Sequence, residues 1–249
     1  MHDRSFRRPR SSRPHGRDDG IHVETVSRAG GGERRLARLE PHDDRRYAAS
    51  VLRVMPHVEH TLGPQVIANR ACRTRSGLVL EEWTSARTTF RQRVRSGLQA
   101  SGAVFVGDVR ACYGSMRPEV VMTSLAAAGV PGPDASAVAE ILRSFEQRGL
   151  RGLPIGPTPS AVLANAVLSP VDRALREAGL GALRWVDDVV VFAPDLASAK
   201  KAGDRFRLAL ATLGLEANED KTRVIGDRAE AEAHLITGRC SPAGSPGMA

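Results

Sequence analysis

The chain has little of several residue types that mark particular classes of protein. Three cysteines occur among 249 residues, Cys72, Cys112 and Cys240, and no two of them form a CxxC pair. A secreted disulfide framework and a structural zinc finger are therefore disfavoured. No apolar run approaches the roughly 18 residues of a membrane-spanning helix, and the N-terminus lacks the apolar core of a secretion signal. These absences predict a soluble, cytoplasmic protein without a membrane partner.

Lysine is also scarce, although the chain is basic. Its 36 basic residues outnumber 28 acidic residues and give a net charge of +8. Only Lys200, Lys201 and Lys221 are lysines, so the other 33 basic residues are arginines. An excess of positive charge favours a polyanionic partner, and nucleic acid is the first candidate.

The first part of the chain shows little periodic apolar pattern. Residues 1–44 mix arginine, serine, proline, glycine and histidine. Such a segment buries too little surface to offset its ordering entropy, which predicts a disordered or loosely attached tail. Residues 45–102 read as a short helix before Pro56, a second short segment and a longer helix to Gly97. Arginines recur every fourth residue on this last helix, at Arg87, Arg91 and Arg95, and therefore share one face. This face is either exposed to solvent or in contact with nucleic acid.

Residues 103–230 alternate regularly between strand and helix patterns. The segment AVFVG at 103–107 reads as a buried strand, and helices, a Gly/Pro-rich loop and a further helix containing Pro170 follow it. The segment LRWVDDVVVFAP then reads as a hairpin, and another helix and a last strand complete the series. This order predicts an α+β fold with helices on one face of an antiparallel sheet, the ferredoxin-like arrangement. Residues 231–249 read as a short tail.

Three carboxylates occupy special places in this pattern. Asp108 ends the buried strand, and Asp187 with Asp188 lies at the hairpin tip 79 residues later. If the strands are neighbours, the carboxylates converge, and their repulsion is costly unless cations neutralise it. Hard oxygen ligands favour Mg²⁺, and two such ions about 3.5–4 Å apart activate a hydroxyl and stabilise a leaving pyrophosphate. An Asp-Asp turn by itself is also ordinary turn chemistry.

Four segments in 103–226 resemble, in order and spacing, motifs A to D of reverse transcriptases. They are VFVGDVRACYGSM, GLPIGPTPSAVLANAVLSPVD, LRWVDDVVVFA and LGLEANEDKTRVI. The GLPIGP form looks closest to bacterial enzymes of abortive infection and antiviral defence. The resemblance implies a polymerase palm at 103–230, fingers elements at 45–102 and a nucleotidyltransferase that performs RNA-directed DNA synthesis. It also implies two Mg²⁺ ions, deoxynucleoside triphosphates and an RNA or DNA template-primer.

The same resemblance assigns roles around the carboxylates. Asp108 and Asp187 would hold both magnesium ions, Asp188 would support them, and Val109 would offer its backbone carbonyl. Lys221 matches the motif D lysine that protonates the departing pyrophosphate. Arginine holds its proton too firmly for that role, whereas the pKa of a lysine can be tuned. The alternative for Lys221 is a surface lysine beside a strand.

The resemblance also implies a nucleotide-binding side. Tyr113, five residues after Asp108, matches the aromatic gate that excludes a ribose 2′-hydroxyl, and its alternative is a core aromatic. Small and rigid residues of the motif B loop let backbone approach the nucleotide: Gly152, Pro154 and Gly156. Ile155 departs from the pattern, because many family members carry glutamine there.

Four polar residues complete the expected substrate contacts. Ser160 and Asn165 begin the helix after the motif B loop, and Asn165 contacts either the nucleotide site or a satisfied helix face. Arg70 and Arg73 lie where the fingers of reverse transcriptases grip the triphosphate, since a guanidinium suits phosphate oxygens. In a chain this rich in arginine, a chance placement is the alternative.

After Ile225 only 24 residues remain, fewer than a helical thumb needs. The expectation is that a partner chain or oligomer supplies the thumb, that the reading frame is truncated or degenerate, or that the activity needs none. Two further functions stay open. One is a catalytically weak or silent nucleic-acid-binding component of phage defence that keeps the palm, and the other is untemplated or protein-primed DNA synthesis.

Overall fold

The computed structural model of the chain describes residues 21–27, 33–75 and 77–238. Of the tails predicted at 1–44 and 231–249, residues 1–20, 28–32 and 239–249 lie outside the described residues. The described part of the C-terminal segment is helical, and its Ala231 and Leu235 are buried, so it is not a loose tail. Eight strands are present in the described ranges: β1 (His22–Ser27), β2 (Glu33–Arg38), β3 (Ala71–Thr74), β4 (Gly77–Leu80), β5 (Ala103–Asp108), β6 (Gly181–Trp185), β7 (Asp188–Ala193) and β8 (Arg223–Ile225).

Helices connect and cover these strands. They are α1 (Pro41–Thr61), α2 (Trp83–Gln99), α3 (Cys112–Ser115), α4 (Pro118–Ala127), α5 (Gly132–Gln147), α6 (Pro159–Glu177), α7 (Leu196–Ala211), α8 (Arg228–Glu232) and a π-helical segment (Ala233–Gly238). No helix in the described part of the chain is long and apolar enough to cross a bilayer.

A four-stranded antiparallel sheet forms the centre of the fold. Its strand order is β6–β7–β5–β8, with β5 paired to β7 on one side and to β8 on the other. This is the order of the ferredoxin-like unit, in which the first and third strands lie in the middle. All six residues of β5 are buried. The predicted α+β palm-like fold is therefore confirmed.

Both faces of this sheet are covered. Phe105 and Val191 lie on one face and pack with α6 and α7, and the Phe105 ring is 5.5 Å from that of Phe206. Because side chains alternate along a strand, Val106 and Val190 lie on the other face, where they pack with α2 and α8. The two crossover helices share one face as predicted, and the fingers helix α2 adds a layer on the opposite face.

The prediction of a tail through residue 44 is wrong for the described part of that segment. Strands β1 and β2 form an antiparallel hairpin, and α1 begins at Pro41. Ala37 is buried, and its N–H donates to the carbonyl of Ile155 at 2.8 Å. The contact between the hairpin and the motif B loop is thus made by backbone atoms, which a pattern of apolar side chains does not reveal.

Helix α1 also differs from the expected two segments, because it continues through Pro56. Proline removes only one helical hydrogen bond, and tertiary packing can compensate for that loss. Here the compensation is a buried stripe along the helix, formed by Tyr47, Val51, Val54 and Val58.

The remaining fingers residues form a hairpin and a helix. Strands β3 and β4 pair antiparallel. Residues 78–80, which the sequence pattern places at the start of the long helix, are therefore extended. Helix α2 then begins at Trp83, and its buried residues Ala86, Phe90, Val94 and Leu98 face the sheet. Arg87 stacks on Trp83, with its guanidinium 4.8 Å from the ring centroid. Part of the arginine stripe thus packs against the protein.

We predict that Ala37→Pro destabilises the protein, because proline cannot donate to the Ile155 carbonyl. The expected loss is about 1 kcal/mol, a fall in Tm of about 2–4 °C by thermal denaturation. Arg35→Pro is the matched control. Arg35 has its N–H on the same side of β2 but two residues away from the contact. Equal losses in the two variants would contradict the docking role of Ala37.

Candidate active site

Asp108 and Asp188 face each other across the central strand pair. Asp108 ends β5, Asp188 begins β7, and the register pairs them directly. Opposed residues of an antiparallel pair have Cα atoms about 5 Å apart. Asp187 lies next to Asp188 in the turn between β6 and β7. The predicted convergence of three acidic residues at one end of the sheet is therefore present.

These carboxylates concentrate negative charge in a poorly solvated place. Burial raises the pKa of Asp188 well above its usual range, and the carboxylates of Asp187 and Asp108 raise it further, while the Lys221 ammonium acts in the opposite direction. The buried Cys112 thiol reports the same charge. Its pKa is raised by burial first and by the Asp187 carboxylate second. A cation would relieve this repulsion.

Asp108 is 4% exposed, and both of its carboxylate oxygens accept hydrogen bonds. Asn218 Nδ2 donates to Oδ1 at 2.8 Å, and Lys221 Nζ donates to Oδ2 at 2.9 Å. The backbone N–H of Asn218 also donates to the Asp108 carbonyl at 2.8 Å. Sequence reasoning missed Asn218, and the available signal was its position three residues before Lys221.

The donor set suits a hard divalent cation, since it consists of carboxylate oxygens with excess negative charge. Within the three described ranges, however, no three Asp, Glu, His or Cys side chains are grouped to hold a metal ion as they stand. Asp108 is paired with Lys221 instead. The residues fit Mg²⁺ in chemistry, provided that Asp108 exchanges the ammonium for the cation. Val109, the fourth expected ligand, has a buried side chain and forms a bridge with Ala217.

Tyr113 is the second residue of α3. This helix begins directly after Ala111, whose φ of 45° turns the chain sharply. The ring is partly buried, and the Tyr113 carbonyl accepts a hydrogen bond from the N–H of Leu153 at 2.8 Å. Gly152 has a φ of 68°, and a Cβ there would lie 2.5 Å from the Tyr113 carbonyl oxygen. Only glycine permits this approach. The motif B loop and the backbone of the expected gate are thus in direct contact.

The other end of that loop contacts the N-terminal hairpin. Pro154 is buried, and Gly156 has a φ of 124°. A Cβ on Gly156 would lie 3.2 Å from the Ala37 carbonyl oxygen. Ile155, the departure from the family pattern, contributes its backbone carbonyl to the hairpin contact described above. The loop is therefore held from both sides.

Two expected substrate contacts lie inside the protein. Ser160 is fully buried, and its hydroxyl lies 3.0 Å from the Tyr47 hydroxyl of α1. Asn165 is 2% exposed, and its Nδ2 donates to the carbonyls of Ala68 and Asn69. Their polar atoms have protein partners in this structure, so substrate binding by these side chains stays a prediction and would require those hydrogen bonds to be exchanged. For Asn165 the alternative of a satisfied helix face holds.

The two fingers arginines differ from each other. Arg70 is engaged by the protein, since its Nε donates to Glu59 Oε1 at 2.7 Å and its Nη1 to the carbonyls of Gly63 and Val66. These bonds fasten the segment before β3, so a triphosphate would have to replace them. Arg73 is exposed on β3 and stays a candidate for substrate binding.

A buried arginine that sequence reasoning missed stands behind the carboxylate turn. Arg184 of β6 is 1% exposed and forms an ion pair with Asp172 of α6 at 2.8 Å. Its Nη1 donates to the Val186 carbonyl, at the residue before Asp187, at 2.9 Å. The available signal was a charged residue within the apolar segment LRWV.

Comparisons with known proteins agree with this architecture. The sequence pattern of the family described as reverse transcriptase (RNA-dependent DNA polymerase) matches residues 29–232. None of the curated proteins compared with the chain matches it significantly.

Solved telomerase structures from Candida tropicalis share the fold. The apo form has a TM-score of 0.55 at 13% identity and covers 89% of this chain and 46% of its own. A form truncated from the C-terminal domain has a TM-score of 0.53 at 14% identity, over 83% and 50% of the two chains. A complex with a TWJ fragment of telomeric RNA has a TM-score of 0.53 at 13% identity, over 83% and 41%.

The present chain thus spans about half the length of those telomerase chains. At these identities the likeness concerns the fold alone. The family pattern, in contrast, covers most of the sequence and includes all the segments that carry the carboxylates, the motif B loop and Lys221. The chain belongs to the reverse transcriptase (RNA-dependent DNA polymerase) family.

Proposed function

We propose that this protein adds deoxynucleotides to a primer 3′-hydroxyl, directed by an RNA template. The observation that carries the proposal is the pairing of Asp108 with Asp188 at the end of the palm sheet, beside Asp187. Family membership supports the reaction class. The concentrated negative charge supports a cation-dependent phosphoryl transfer.

The carboxylates are the proposed metal ligands. Asp108 and Asp187 would hold two Mg²⁺ ions, supported by Asp188 and the backbone carbonyl of Val109. When bound, these ions activate the hydroxyl nucleophile and stabilise the charge that develops on the pyrophosphate. Asn218 keeps one oxygen of Asp108 oriented through its 2.8 Å hydrogen bond.

Lys221 has two roles in this proposal. In the metal-free protein its ammonium offsets the charge of Asp108 from 2.9 Å. Its side chain is 39% exposed, so it can leave Asp108 when a cation arrives. An ammonium released at this place can donate a proton to the departing pyrophosphate.

Tyr113 is the proposed sugar gate, and its backbone is held by the motif B loop. Arg73 is the remaining fingers arginine for the triphosphate, whereas we now assign Arg70 a structural role. The arginines of α2, with Arg95 exposed, would contact nucleic-acid backbone without sequence preference.

The partners are likewise proposals. One solved neighbour is described in complex with a fragment of telomeric RNA, and the net charge of +8 also suits a nucleic-acid template-primer. Four further points rest on the sequence alone and stay predictions. They are a thumb supplied by another chain, a cytoplasmic setting, a role in antiviral defence, and untemplated or protein-primed synthesis. The closeness to bacterial defence enzymes stays a prediction.

A nucleic-acid-binding protein with weak or no catalysis is the second candidate. The ion pair between Asp108 and Lys221 favours it, since it engages a proposed metal ligand. Activity measurements distinguish the two functions, because binding without incorporation is expected only from the second.

We predict that Asp187→Asn lowers nucleotide incorporation by on the order of 100-fold or more, since it removes a charged ligand at the reacting centre. The measurement is primer extension with Mg²⁺ on RNA and DNA templates. Asp204→Asn, which changes an exposed carboxylate on α7, should leave the rate unchanged. Equal incorporation by Asp187→Asn and the natural protein would exclude the catalytic assignment.

Tyr113→Ala should relax discrimination against ribonucleotides by about 10- to 100-fold, because the ring would no longer exclude the 2′-hydroxyl. The ratio of kcat/KM for a deoxynucleotide and its ribonucleotide measures this effect. Tyr113→Phe keeps the ring and should keep the selectivity. If the alanine variant is as selective as the natural protein, Tyr113 is only a packing residue.

Asp188→Asn should stabilise the metal-free protein near neutral pH. A carboxyl whose pKa is higher in the folded protein keeps its proton where the unfolded chain has lost it, so stability falls as pH rises above about 4 through the raised pKa. Asparagine removes this loss. The expected rise in Tm at pH 7 is about 2–4 °C for each kcal/mol gained, and it should vanish near pH 4.

Mg²⁺ provides the control for this effect. The cation should raise the Tm of the natural protein more than that of Asp188→Asn, because it relieves the same repulsion. A Tm that is insensitive both to the substitution and to Mg²⁺ would contradict a charge-strained site.

A further inference from the structure

The buried Arg184 has no role in the reaction as proposed above, yet it lies two residues before the carboxylate turn. With 1% of its surface exposed, it is among the largest fully buried side chains in the described residues. Burying a guanidinium is costly unless each donor finds a partner and the charge is matched. The location of its partners therefore shows what the side chain holds in place.

The charge is matched from α6. Arg184 Nε donates to Asp172 Oδ1 at 2.8 Å, and Nη2 donates to Asp172 Oδ2 at 2.8 Å, which is a two-point pairing. Asp172 is itself 4% exposed. Such bidentate geometry fixes the plane of the guanidinium as well as its position.

The remaining nitrogen is aimed at the turn. Nη1 donates to the Val186 carbonyl at 2.9 Å and to Asn165 Oδ1 at 2.9 Å. Val186 has a φ of 56°, a conformation that a β-branched residue rarely adopts and that needs surrounding structure to hold it. Its carbonyl belongs to the peptide that leads into Asp187. Arg184 therefore fixes the orientation of the peptide that carries the first carboxylate of the pair.

The network is anchored in the fingers segment as well. Asn165 Nδ2 donates to the carbonyls of Ala68 and Asn69. The backbone of Arg184 exchanges hydrogen bonds with the same segment, since its N–H donates to the Gln65 carbonyl and its carbonyl accepts from Ile67. The turn, α6 and the segment that precedes β3 thus meet at Arg184 and Asn165.

We propose that Arg184, held by Asp172 and Asn165, is the positioning residue that sets the geometry of the Val186–Asp188 turn for metal binding. This inference rests on the proposed function, because it gives the turn a cation to bind. An apolar pair of similar volume would fill the same space without orienting the Val186 carbonyl. Such a pair is therefore expected to weaken metal binding in a protein that still folds.

The test uses Mn²⁺ as the probe and Trp185 as the reporter. Trp185 is next to Val186, and Trp83 is the only other tryptophan. Trp83→Phe therefore makes Trp185 the sole source of tryptophan fluorescence. Quenching by Mn²⁺ then measures binding at the turn without any catalytic step. The full-length Trp83→Phe variant is the parent protein with which the further variants are compared.

The test variant combines Arg184→Met with Asp172→Leu, which removes the ion pair and leaves no unpaired charge. We expect the protein to stay folded with a Tm several degrees below the parent, because the Val186 carbonyl and Asn165 Oδ1 lose the Nη1 donor. We expect the Mn²⁺ midpoint to rise about tenfold or more, and kcat to fall with KM for the nucleotide little changed. The matched control is Arg148→Met with Asp43→Leu, another Arg–Asp pair, which joins the residue after α5 to α1. It should leave the Mn²⁺ midpoint unchanged.

Arg184→Lys is the second variant, in case the apolar pair does not fold. Lysine keeps the charge beside Asp172 but lacks the planar fork needed to reach Asp172, Asn165 and Val186 together. It should also weaken Mn²⁺ binding. An unchanged midpoint in the folded variants overturns the positioning role while the proposed function stands. A parent protein that shows neither Mn²⁺ quenching nor incorporation overturns both.

Discussion

The antiparallel pairing of β5 with β7 is the interaction on which the rest of the site depends. It places Asp108 opposite Asp188, and it does so at one register only. A slip by one residue would turn every side chain of β5 to the other face. That slip is prevented because both faces are buried, with Phe105 packed against α7 and Val106 against the opposite layer. The apolar core therefore determines where the carboxylates meet, although none of its side chains takes part in the chemistry.

Two basic side chains lie near this strand end, and they differ in their exposure and in their partners. Lys221 reaches Asp108 from the segment before β8 and remains partly exposed, so its ion pair can be exchanged. Arg184 is enclosed behind the turn, paired with Asp172, and cannot leave without unfolding the surrounding layer. Screening by water makes an exposed pair weak, whereas a buried pair broken on one side is strongly destabilising. The structure thus combines one cation suited to exchange with another suited to holding a fixed geometry.

The sheet and its helices followed from the sequence because their patterns are local. The apolar run before Asp108, the two strand-like arms around Asp187 and the periodic stripe of α7 each indicate one element without reference to the others. The hairpin at β1 and β2 escaped this reasoning, since its buried residue Ala37 finds its partner at Ile155, more than a hundred residues away. The continuation of α1 through Pro56 was also not expected, since the packing that stabilises this helix comes from other helices.

By itself the sequence determined that β5 ends and β7 begins at acidic residues, Asp108 and Asp188, and it determined the family to which the surrounding motifs point. Only the tertiary structure decided which polar side chains face inward. Ser160 meets Tyr47, Asn165 meets the segment at 68–69, and Arg70 meets Glu59, so all three have protein partners in this structure. The physical reason is that hydrophobic periodicity is a local property of a short segment of sequence. The hydrogen-bond partner of a buried polar side chain depends instead on which distant element packs against it. For Arg184, the apolar segment around it in the sequence marks it as unusual, but only the packing shows that Asp172 and Asn165 are its partners.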